Sequence, residues 1–233
     1  MARQQTRSQR GDTPLSPERI IETALRISDT EGDLDRLTVR RLATELGVGT
    51  MTLYSYFRGK DEILDGMADH VLGRMRLPAE PDAGPAEALR TVGHAFLAMM
   101  REHPSVVRLF STRITDSPAA LRGAMEAVLR RLVDAGIPGP LAVRCYGFLI
   151  TYAIGFASYQ TPRPWGRAAA EDGAEQRRQR RHFYAALPID EFPLVVDLAE
   201  EVTELPSDAQ FAAGLEAYID STLRTLEQHA ARS

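Results

Sequence analysis

Cysteine is almost absent from this sequence of 233 residues, which contains Cys145 alone. A single thiol excludes an intramolecular disulfide and a cysteine-based zinc site, because both need at least two thiolates. The five histidines show no spacing typical of metal ligands, so we predict neither a metal nor a cofactor. A chain without disulfides fits the reducing cytoplasm.

Long hydrophobic runs are also missing. Residues 1–12 are polar and lack the apolar run of a secretory signal, and the longest uncharged apolar stretch covers residues 145–161. That stretch is shorter than the roughly 20 residues that span a bilayer. We therefore expect a soluble cytoplasmic protein without a membrane partner.

Lysine is nearly absent as well: Lys60 is the only lysine, and the other 27 basic residues are arginines. Arginine suits bidentate contacts with phosphate and guanine, although GC-rich codon usage alone would produce the same bias. The net charge of −4 argues against a uniformly cationic surface. The charge is uneven, however: residues 1–60 carry +2 and residues 61–233 carry −6.

Apolar residues recur with helical spacing, and no segment shows the alternation of strands joined by hairpin turns. The sequence therefore predicts an all-α protein. Residues 1–15 are expected to form a mobile cationic arm, since they are too poor in apolar groups to fold alone. Ser16 and Pro17 are typical of a helix start. Helices are predicted at residues 17–31, 38–46, 49–57, 60–76, 86–102, 104–114, 118–135, 139–160, 174–186, 190–203 and 207–230.

The second and third helices are separated only by a short turn at residues 47–49, which is typical of a helix-turn-helix. Their apolar residues can form one small core with the first helix. This core contains Leu42, Leu46, Val48, Leu53 and Phe57. No Asp or Glu lies between residues 47 and 60, so no carboxylate on the third helix would repel DNA. Many small helical proteins contain two short helices and a glycine turn. The pattern alone is therefore compatible with a DNA-binding helix-turn-helix and with an ordinary pair of packed helices.

The run LTVRRLATELGVGTMTLYSYFRGKDEILD, residues 37–65, resembles the DNA-binding segment of TetR-family transcriptional regulators. It matches the LT-x-R-x-LA-x-x-LG-V, T-LY-x-x-F and K-x-x-LL-type elements of that family. The resemblance is strong over residues 16–72. Residues 101–104, Gly155 and residues 211–215 are more weakly similar to the C-terminal domain of the tetracycline-repressor branch.

This resemblance implies an organisation into two domains. A helix-turn-helix DNA-binding domain is expected at residues 16–60. A larger helical-bundle domain for ligand binding and dimerisation is expected at residues 61–233, with the helix over residues 61–76 linking the two.

The resemblance also implies which residues contact double-stranded DNA. Contacts with phosphates are expected from Thr38, Tyr54 and Lys60, and Arg40 lies where the family often has a phosphate- or base-contacting side chain. Thr52 is among the outward residues of the third helix. The base-reading face is expected to comprise Thr50, Met51, Ser55 and Tyr56.

A regulator of this type needs a dimer, because two recognition helices must enter major grooves roughly 34 to 36 Å apart to read a palindrome. In the resembling family, the helices that correspond to residues 139–160 and 207–230 form a bundle of four helices between two subunits. Residues 145–161 carry no charge, and Gly147 and Gly155 permit close helix approach. The alternative is that both helices simply face the core of one chain.

The other side of the helix over residues 139–160 could line a cavity for a small-molecule effector, because Met and aromatic residues form a pliable apolar wall. For each residue alone, plain core packing is an alternative. Residues 163–182 could be a pocket lid or a surface loop. The candidate ligand-binding residues are Met67, Phe96, Met99, Met100, Leu109, Phe110, Tyr146, Leu149, Tyr152, Phe156 and Trp165.

One departure from the tetracycline repressor concerns its metal. Met75 and Phe110 stand where that protein uses histidines to hold magnesium-tetracycline, so this chemistry is not expected here.

The resulting hypothesis is a homodimeric repressor that a small molecule releases from a palindromic operator. No nucleophile is paired with a base, and no glycine loop is suited to phosphate, so we do not predict an enzyme. A helical-bundle carrier or enzyme with a coincidental helix-turn-helix is one alternative, and a TetR-type activator is another. The effector and the operator sequence stay open.

Overall fold

The computed structural model describes residues 14–161 and 171–231, and its regular elements there are all helical. The predicted all-α class is confirmed. Trp165, residues 1–13 of the N-terminal arm and residues 163–170 of the 163–182 segment lie outside the described residues. The α-helices are α1 (Pro17–Glu31), α2 (Val39–Leu46), α3 (Thr50–Tyr54), α4 (Lys60–Gly73), α5 (Pro85–Glu102), α6 (Val107–Thr112), α7 (Pro118–Ala120), α8 (Ala127–Asp134), α9 (Gly139–Gln160), α10 (Glu171–Ala185), α11 (Pro193–Asp197), α12 (Ala199–Thr203) and α13 (Asp208–Ala230).

The chain divides into two compact units between Met67 and Ala68, inside α4. The proline-rich residues 78–85 belong to the second unit. The functional domain boundary at residue 60 stays a prediction.

Local capping explains where the first two helices begin and end. The Ser16 hydroxyl oxygen accepts a hydrogen bond from the Arg19 N–H at 3.2 Å, and Pro17 occupies the first turn of α1. Thr38 caps α2 in the same way, accepting from the Arg41 N–H at 3.1 Å. Gly47 ends α2 with a φ of 70°, in the left-handed region that glycine adopts without a steric penalty. These predicted signals are confirmed.

Helix α3 is shorter than predicted, because it ends at Tyr54 rather than at residue 57. The Ser55 hydroxyl donates to the Thr52 carbonyl at 2.7 Å. The backbone N–H groups of Tyr56 and Phe57 both donate to the Leu53 carbonyl at 3.0 Å, which forms a tight turn. Serine competes with the helical ladder in this way, so the expected length was wrong.

The core of the first unit is small and continuous. Ile20 and Ala24 of α1, Leu42 of α2 and Leu53 of α3 are fully buried or nearly so. Leu46, Val48 and Phe57, which were predicted for the same core, are only partly buried. Four buried side chains from three helices therefore fix how α3 lies on α1 and α2.

The second unit is built around α9, which packs against α5, α6 and α8, while α13 packs against α5. Helices α5 and α13 approach closely at Gly93, where a Cβ would come within 2.8 Å of the Leu215 side chain and that leucine would have to shift. A π-helical turn, Leu121–Glu126, interrupts the predicted helix over residues 118–135. The predicted helix over residues 190–203 is divided into α11 and α12 at Leu198.

Asp82 and Arg131 secure the segment between α4 and α5. The Arg131 guanidinium donates to both Asp82 carboxylate oxygens, at 2.6 and 2.8 Å, and to the carbonyls of Pro78 and Glu80. The Thr91 hydroxyl donates to the same carboxylate at 2.9 Å. This ion pair is well buried and its hydrogen-bonding groups have partners, which is the condition under which a buried charge pair is tolerated.

Candidate DNA-binding face and effector domain

The exposed side of α3 is the most distinctive surface of the first unit. Leu53 anchors the helix with 1% of its surface exposed, whereas the neighbouring Met51 is 78% exposed. Thr52, Tyr54 and Ser55 are exposed as well, and Thr50 is partly exposed. A short helix thus presents hydroxyls, a thioether and an aromatic ring, held in place by one buried leucine.

Carboxylates on either side of this face are already engaged. Glu45 accepts a hydrogen bond from the Arg26 guanidinium at 3.0 Å, and Glu62 accepts one from the Arg58 backbone N–H at 2.5 Å. The stretch between them from residue 47 to residue 60 contains no acid. The face therefore has no carboxylate of its own that would repel phosphate.

Thr38 has a hydroxyl that can serve two partners. Its oxygen accepts from the Arg41 N–H as the cap of α2. The hydroxyl proton is not used by this cap and is suited to donating to a phosphate oxygen.

Arg40 and Arg41 differ in their surroundings although they are adjacent. The Arg41 guanidinium donates to Glu31 at 2.6 Å, and hydrogen bonds from Arg41 and Arg36 lower the pKa of the Glu31 carboxyl. Arg40 is exposed. Of the two, Arg40 was predicted to contact DNA, and its exposed side chain leaves that prediction open to test.

Lys60 lies at the first position of α4 and is half-buried. Its ammonium group donates to the Leu34 carbonyl at 3.1 Å, a contact that sequence reasoning did not anticipate. An ammonium group has three N–H donors, so two others are available to a phosphate. Lys60 thus has a structural contact beside its predicted role at DNA.

Tyr56 also has an unanticipated contact. Its hydroxyl donates to the Leu15 carbonyl at 3.1 Å, although the two residues are 41 positions apart. The role of Tyr56 in base reading remains a prediction. Its hydrogen bond to Leu15 is a structural contact in addition to that predicted role.

Most of the candidate effector residues are buried in the second unit. Phe96, Met99, Met100, Leu109 and Leu149 are buried, and Phe110 is partly exposed. The Phe96 and Tyr146 rings meet edge to face with centroids 5.8 Å apart, and burial raises the pKa of Tyr146. Met67 is fully buried and is the last residue of the first unit.

Tyr152 and Phe156 were placed on the side of α9 opposite Gly147 and Gly155, and that placement was wrong. All four residues line one groove of about 810 Å³, together with Leu205, Pro206 and Gln210 from the segment that leads into α13. Tyr152 is three positions from Leu149 and four positions from Phe148, so it lies close to both residues on the surface of α9. A small rotation of the helix therefore decides on which side of α9 Tyr152 lies.

Phe211 of α13 explains why these two aromatic residues turn towards that helix. The Tyr152 and Phe211 rings stack with centroids 4.9 Å apart, and Phe156 lies 5.0 Å from Phe211. The Tyr152 hydroxyl donates to the Phe211 carbonyl at 3.2 Å. Sequence reasoning placed Phe211 on α13 but did not connect it to α9.

The surface of α9 beside Gly147 and Gly155 is uncharged yet exposed. A Cβ built on Gly147 or Gly155 would meet nothing within 4 Å, and Phe148, Thr151 and Tyr159 beside them are exposed. By length and composition α9 could also cross a membrane. The core helices of soluble proteins pass the same test, and α9 packs against α5 and α8 within this protein.

The described residues contain no group of three or more His, Cys, Asp or Glu side chains that could hold a metal ion. Cys145 is buried between α9 and α13, where burial raises the pKa of its thiol. Burial and the neighbouring Cys145 also raise the pKa of Tyr218. This thiol is therefore a packing group rather than a reactive nucleophile.

Comparison with known proteins assigns the two parts of the chain to two different domain families. The family model for bacterial regulatory proteins of the tetR family matches residues 20–67. The model for the tetracyclin repressor-like C-terminal domain matches residues 77–225.

Three relatives extend this likeness over most of the chain. The HTH-type transcriptional repressor DrrR1 of Streptomyces coeruleorubidus is 34% identical over 218 residues, which cover 92% of this chain and 80% of the relative. The tetracycline repressor class A from transposon 1721 of Escherichia coli is 26% identical over 89% of this chain and 90% of its own. The crystal structure of Streptomyces coelicolor ActR in complex with actinorhodin has a TM-score of 0.72 and 34% identity, covering 91% of this chain and 96% of that one. The chain belongs to the TetR family of bacterial transcriptional regulators.

Proposed function

We propose that this protein is a ligand-responsive DNA-binding repressor that reads its operator with α3. The observation that carries the proposal is the acid-free, exposed face of α3 on a helix-turn-helix. Hydroxyls of Thr50, Thr52 and Ser55 can exchange hydrogen bonds with base edges, and the Met51 side chain suits apolar contact with a thymine methyl group. Thr38, Tyr54 and Lys60 supply contacts with phosphates, which position the helix without reading sequence. Such a regulator acts in the bacterial cytoplasm, where the DNA is.

A homodimer through α9 and α13 is part of this proposal. The exposed, uncharged face with Gly147, Thr151 and Gly155 supports it, since a second helix can approach closely over glycine. We expect Thr151→Arg to give a monomer in sedimentation experiments, because it places a charge in the contact. Ile114→Arg is the matched control, since Ile114 is 86% exposed in the second unit. A Thr151→Arg protein that remains dimeric would exclude this face.

The effector is proposed to bind in the second unit near Phe96 and Tyr146. The relative ActR forms a complex with actinorhodin, which makes actinorhodin the first ligand to titrate. The Tyr146 hydroxyl can donate a hydrogen bond to a polar atom of the effector. An effector releases DNA only if it binds the DNA-free conformation more tightly, and a thousandfold release requires about 4 kcal/mol of coupling.

Met51→Glu tests the DNA-binding face directly. We expect it to weaken binding to the region upstream of the chain's own gene by at least about 100-fold, because it removes a base contact and adds a repelling carboxylate. The measurement is a fluorescence-anisotropy titration. Ile114→Glu introduces the same charge at an equally exposed position and is expected to bind like the wild type.

The activator alternative needs a different readout. A reporter gene placed behind the upstream region should be expressed more strongly when the Met51→Glu protein replaces the wild type. Lower expression would identify an activator, and equal affinity of Met51→Glu and wild type for DNA would refute the proposed face.

A further inference from the structure

A cavity of about 370 Å³ lies between α10 and α12 in the second unit, and its lining residues are not among those proposed for the effector. Its size falls within the range of roughly 300–1,000 Å³ that small-molecule sites have. Side chains of both charges line it. The α10 side comprises Arg177, Arg178, Arg181 and His182, and the α12 side comprises Glu200 and Glu204.

Helical spacing explains why the cations of α10 share one face. Arg177 and Arg181 are four positions apart, as are Arg178 and His182, and residues at this spacing are neighbours on a helix surface. Helix α10 packs against α12, so this cationic face is set against the carboxylates that follow Ala199. The cavity therefore has one wall of each charge.

The contacts within the protein leave one guanidinium of this cavity incompletely paired. Arg178 forms an ion pair with Glu175 at 2.7 Å. The Arg181 guanidinium is 3.7 Å from the Glu200 carboxylate, which is too far for a hydrogen bond. The Nε atom of Arg177 is buried and has no hydrogen-bond partner in the part of the chain that the structure describes. A buried donor without an acceptor is unfavourable, so Arg177 is the side chain suited to a new anionic partner.

The two walls require different groups from one ligand. The Nε and Nη groups of a guanidinium form a fork that matches a carboxylate. Ionised Glu200 and Glu204 can only accept hydrogen bonds, and the Thr203 hydroxyl proton beside them is donated to the Ala199 carbonyl at 2.6 Å. The α12 side therefore favours a donor, and an ammonium group supplies both the donors and the opposite charge. A ligand with one kind of charge would meet a wall that repels it.

We propose that this cavity binds a small zwitterion, whose carboxylate pairs with Arg177 and whose ammonium group pairs with Glu200 and Glu204. The site is separate from the proposed DNA-binding face and from the proposed effector site. A bound zwitterion joins α10 to α12 by charge-assisted hydrogen bonds at both of its ends.

The first experiment compares probes of equal chain length that differ in charge. ε-Aminocaproate carries both charges, caproate carries the carboxylate alone and hexylamine carries the ammonium alone. Each probe is titrated into the whole chain by calorimetry at constant ionic strength, and γ-aminobutyrate serves as a shorter zwitterion. The better of the two zwitterions is expected to bind at least about tenfold more tightly than caproate or hexylamine, because each end adds hydrogen bonds to a charged group.

The second experiment removes the proposed partner of the carboxylate. Arg177→Met deletes the guanidinium and keeps an unbranched side chain. It is expected to weaken zwitterion binding at least about tenfold, the effect of losing hydrogen bonds from a charged group, and to leave hexylamine binding unchanged. Arg224→Met is the matched control, since Arg224 is an exposed arginine of α13, and should bind the probes like the wild type. The melting temperature checks that both variants are folded.

The third experiment removes the proposed partners of the ammonium group. Glu200→Gln and Glu204→Gln together keep the size of the side chains, and the resulting protein should bind ε-aminocaproate no more tightly than caproate. Glu102→Gln and Glu227→Gln together are the control, because both glutamates are exposed elsewhere in the second unit. This comparison tests the site independently of whether Arg177→Met folds.

Two results would overturn the inference. Zwitterions that bind no more tightly than the singly charged probes would show that the cavity does not select both charges. Zwitterion binding that survives unchanged in Arg177→Met, or in the protein without Glu200 and Glu204, would place the binding site elsewhere on the chain. Neither result bears on the proposed function, which is tested with DNA.

Discussion

The first unit exposes its larger side chains on one short helix, whereas the second unit buries aromatic side chains between α5, α9 and α13. Met51 and Tyr54 of α3 face outwards, while Phe96 and Phe211 are fully buried or nearly so. DNA is read by side chains that project from a rigid support, and an apolar effector needs a site that excludes water. The contrast thus separates the two tasks of a regulator.

The two units also differ in how far apart their contacting residues lie in the sequence. In the first unit, Glu31 pairs with Arg36 and Arg41 over five and ten positions. In the second, Arg90 makes a bidentate ion pair with Glu216 over 126 positions. The contacts described for the first unit span at most the 41 positions between Leu15 and Tyr56, so the larger unit depends on segments that are farther apart in the sequence.

The largest expected effect is on the aromatic packing of the second unit. Phe211→Ala removes a side chain that is 1% exposed and contacts Tyr152 and Phe156. We expect it to lower the free energy of unfolding by about 3–5 kcal/mol, measured by urea denaturation. Phe183→Ala is the control, since Phe183 is 56% exposed and its loss should change stability by no more than about 0.5 kcal/mol. Similar losses for both variants would contradict the packing described for Phe211.

A smaller effect is expected at the DNA-facing side of the first unit. Lys60→Ala should weaken binding to all sequences alike and flatten the salt slope by about 0.9, because the protein then neutralises one phosphate fewer. Removal of the hydrogen bond to Leu34 should also reduce stability by about 0.5–1.5 kcal/mol. Salt titrations on specific and random duplexes measure the first effect, and thermal denaturation measures the second.

Lys60→Arg is the control for this comparison, since it keeps the positive charge. It should retain the salt slope of the wild type. A loss of affinity for one operator alone would contradict the assignment of Lys60 to a phosphate.

The smallest effect compares one carboxylate of each unit. Hydrogen bonds from arginine lower the pKa of Glu31 in the first unit and of Glu216 in the second below their ordinary value of 4.5. Their contribution to stability is therefore present above pH 4.5 and is lost as the pH falls further, where these carboxylates are protonated in the folded protein. Both lie near the surface, so the loss should be small.

Glu216→Gln should remove this pH dependence from the second unit alone. Hydrogen exchange resolved by segment, followed from neutral pH down through 4.5, measures the two units separately. An unchanged acid response of α13 in Glu216→Gln would show that the pair with Arg90 does not contribute.

Several features of the fold could be predicted from neighbouring residues. Ser16, Thr38 and Gly47 mark helix ends because their capping hydrogen bonds or left-handed backbone involve residues within four positions. The exposed face of α3 follows from helical periodicity, with Leu53 alone turned inwards. Even here the end of α3 was misplaced, since the competing hydrogen bond of Ser55 leaves no trace in apolar spacing.

Contacts between distant segments could not be predicted in this way. Helix α9 is uncharged on every side over residues 145–161, so its sequence contains no pattern that separates a buried face from an exposed one. The side occupied by Tyr152 and Phe156 was therefore decided by Phe211, more than fifty positions away. The ion pair between Asp82 and Arg131 could not be predicted either, because the two residues are 49 positions apart in the sequence.

By itself, the sequence determined the helical class, the helix-turn-helix and the absence of acid from its reading face, because each depends on residues close together in the chain. Only the tertiary structure decided that Tyr152 turns towards α13, that Lys60 holds Leu34 and that Tyr56 holds Leu15. The physical reason is that one hydroxyl or ammonium group can satisfy any nearby carbonyl, and folding alone determines which carbonyl is near.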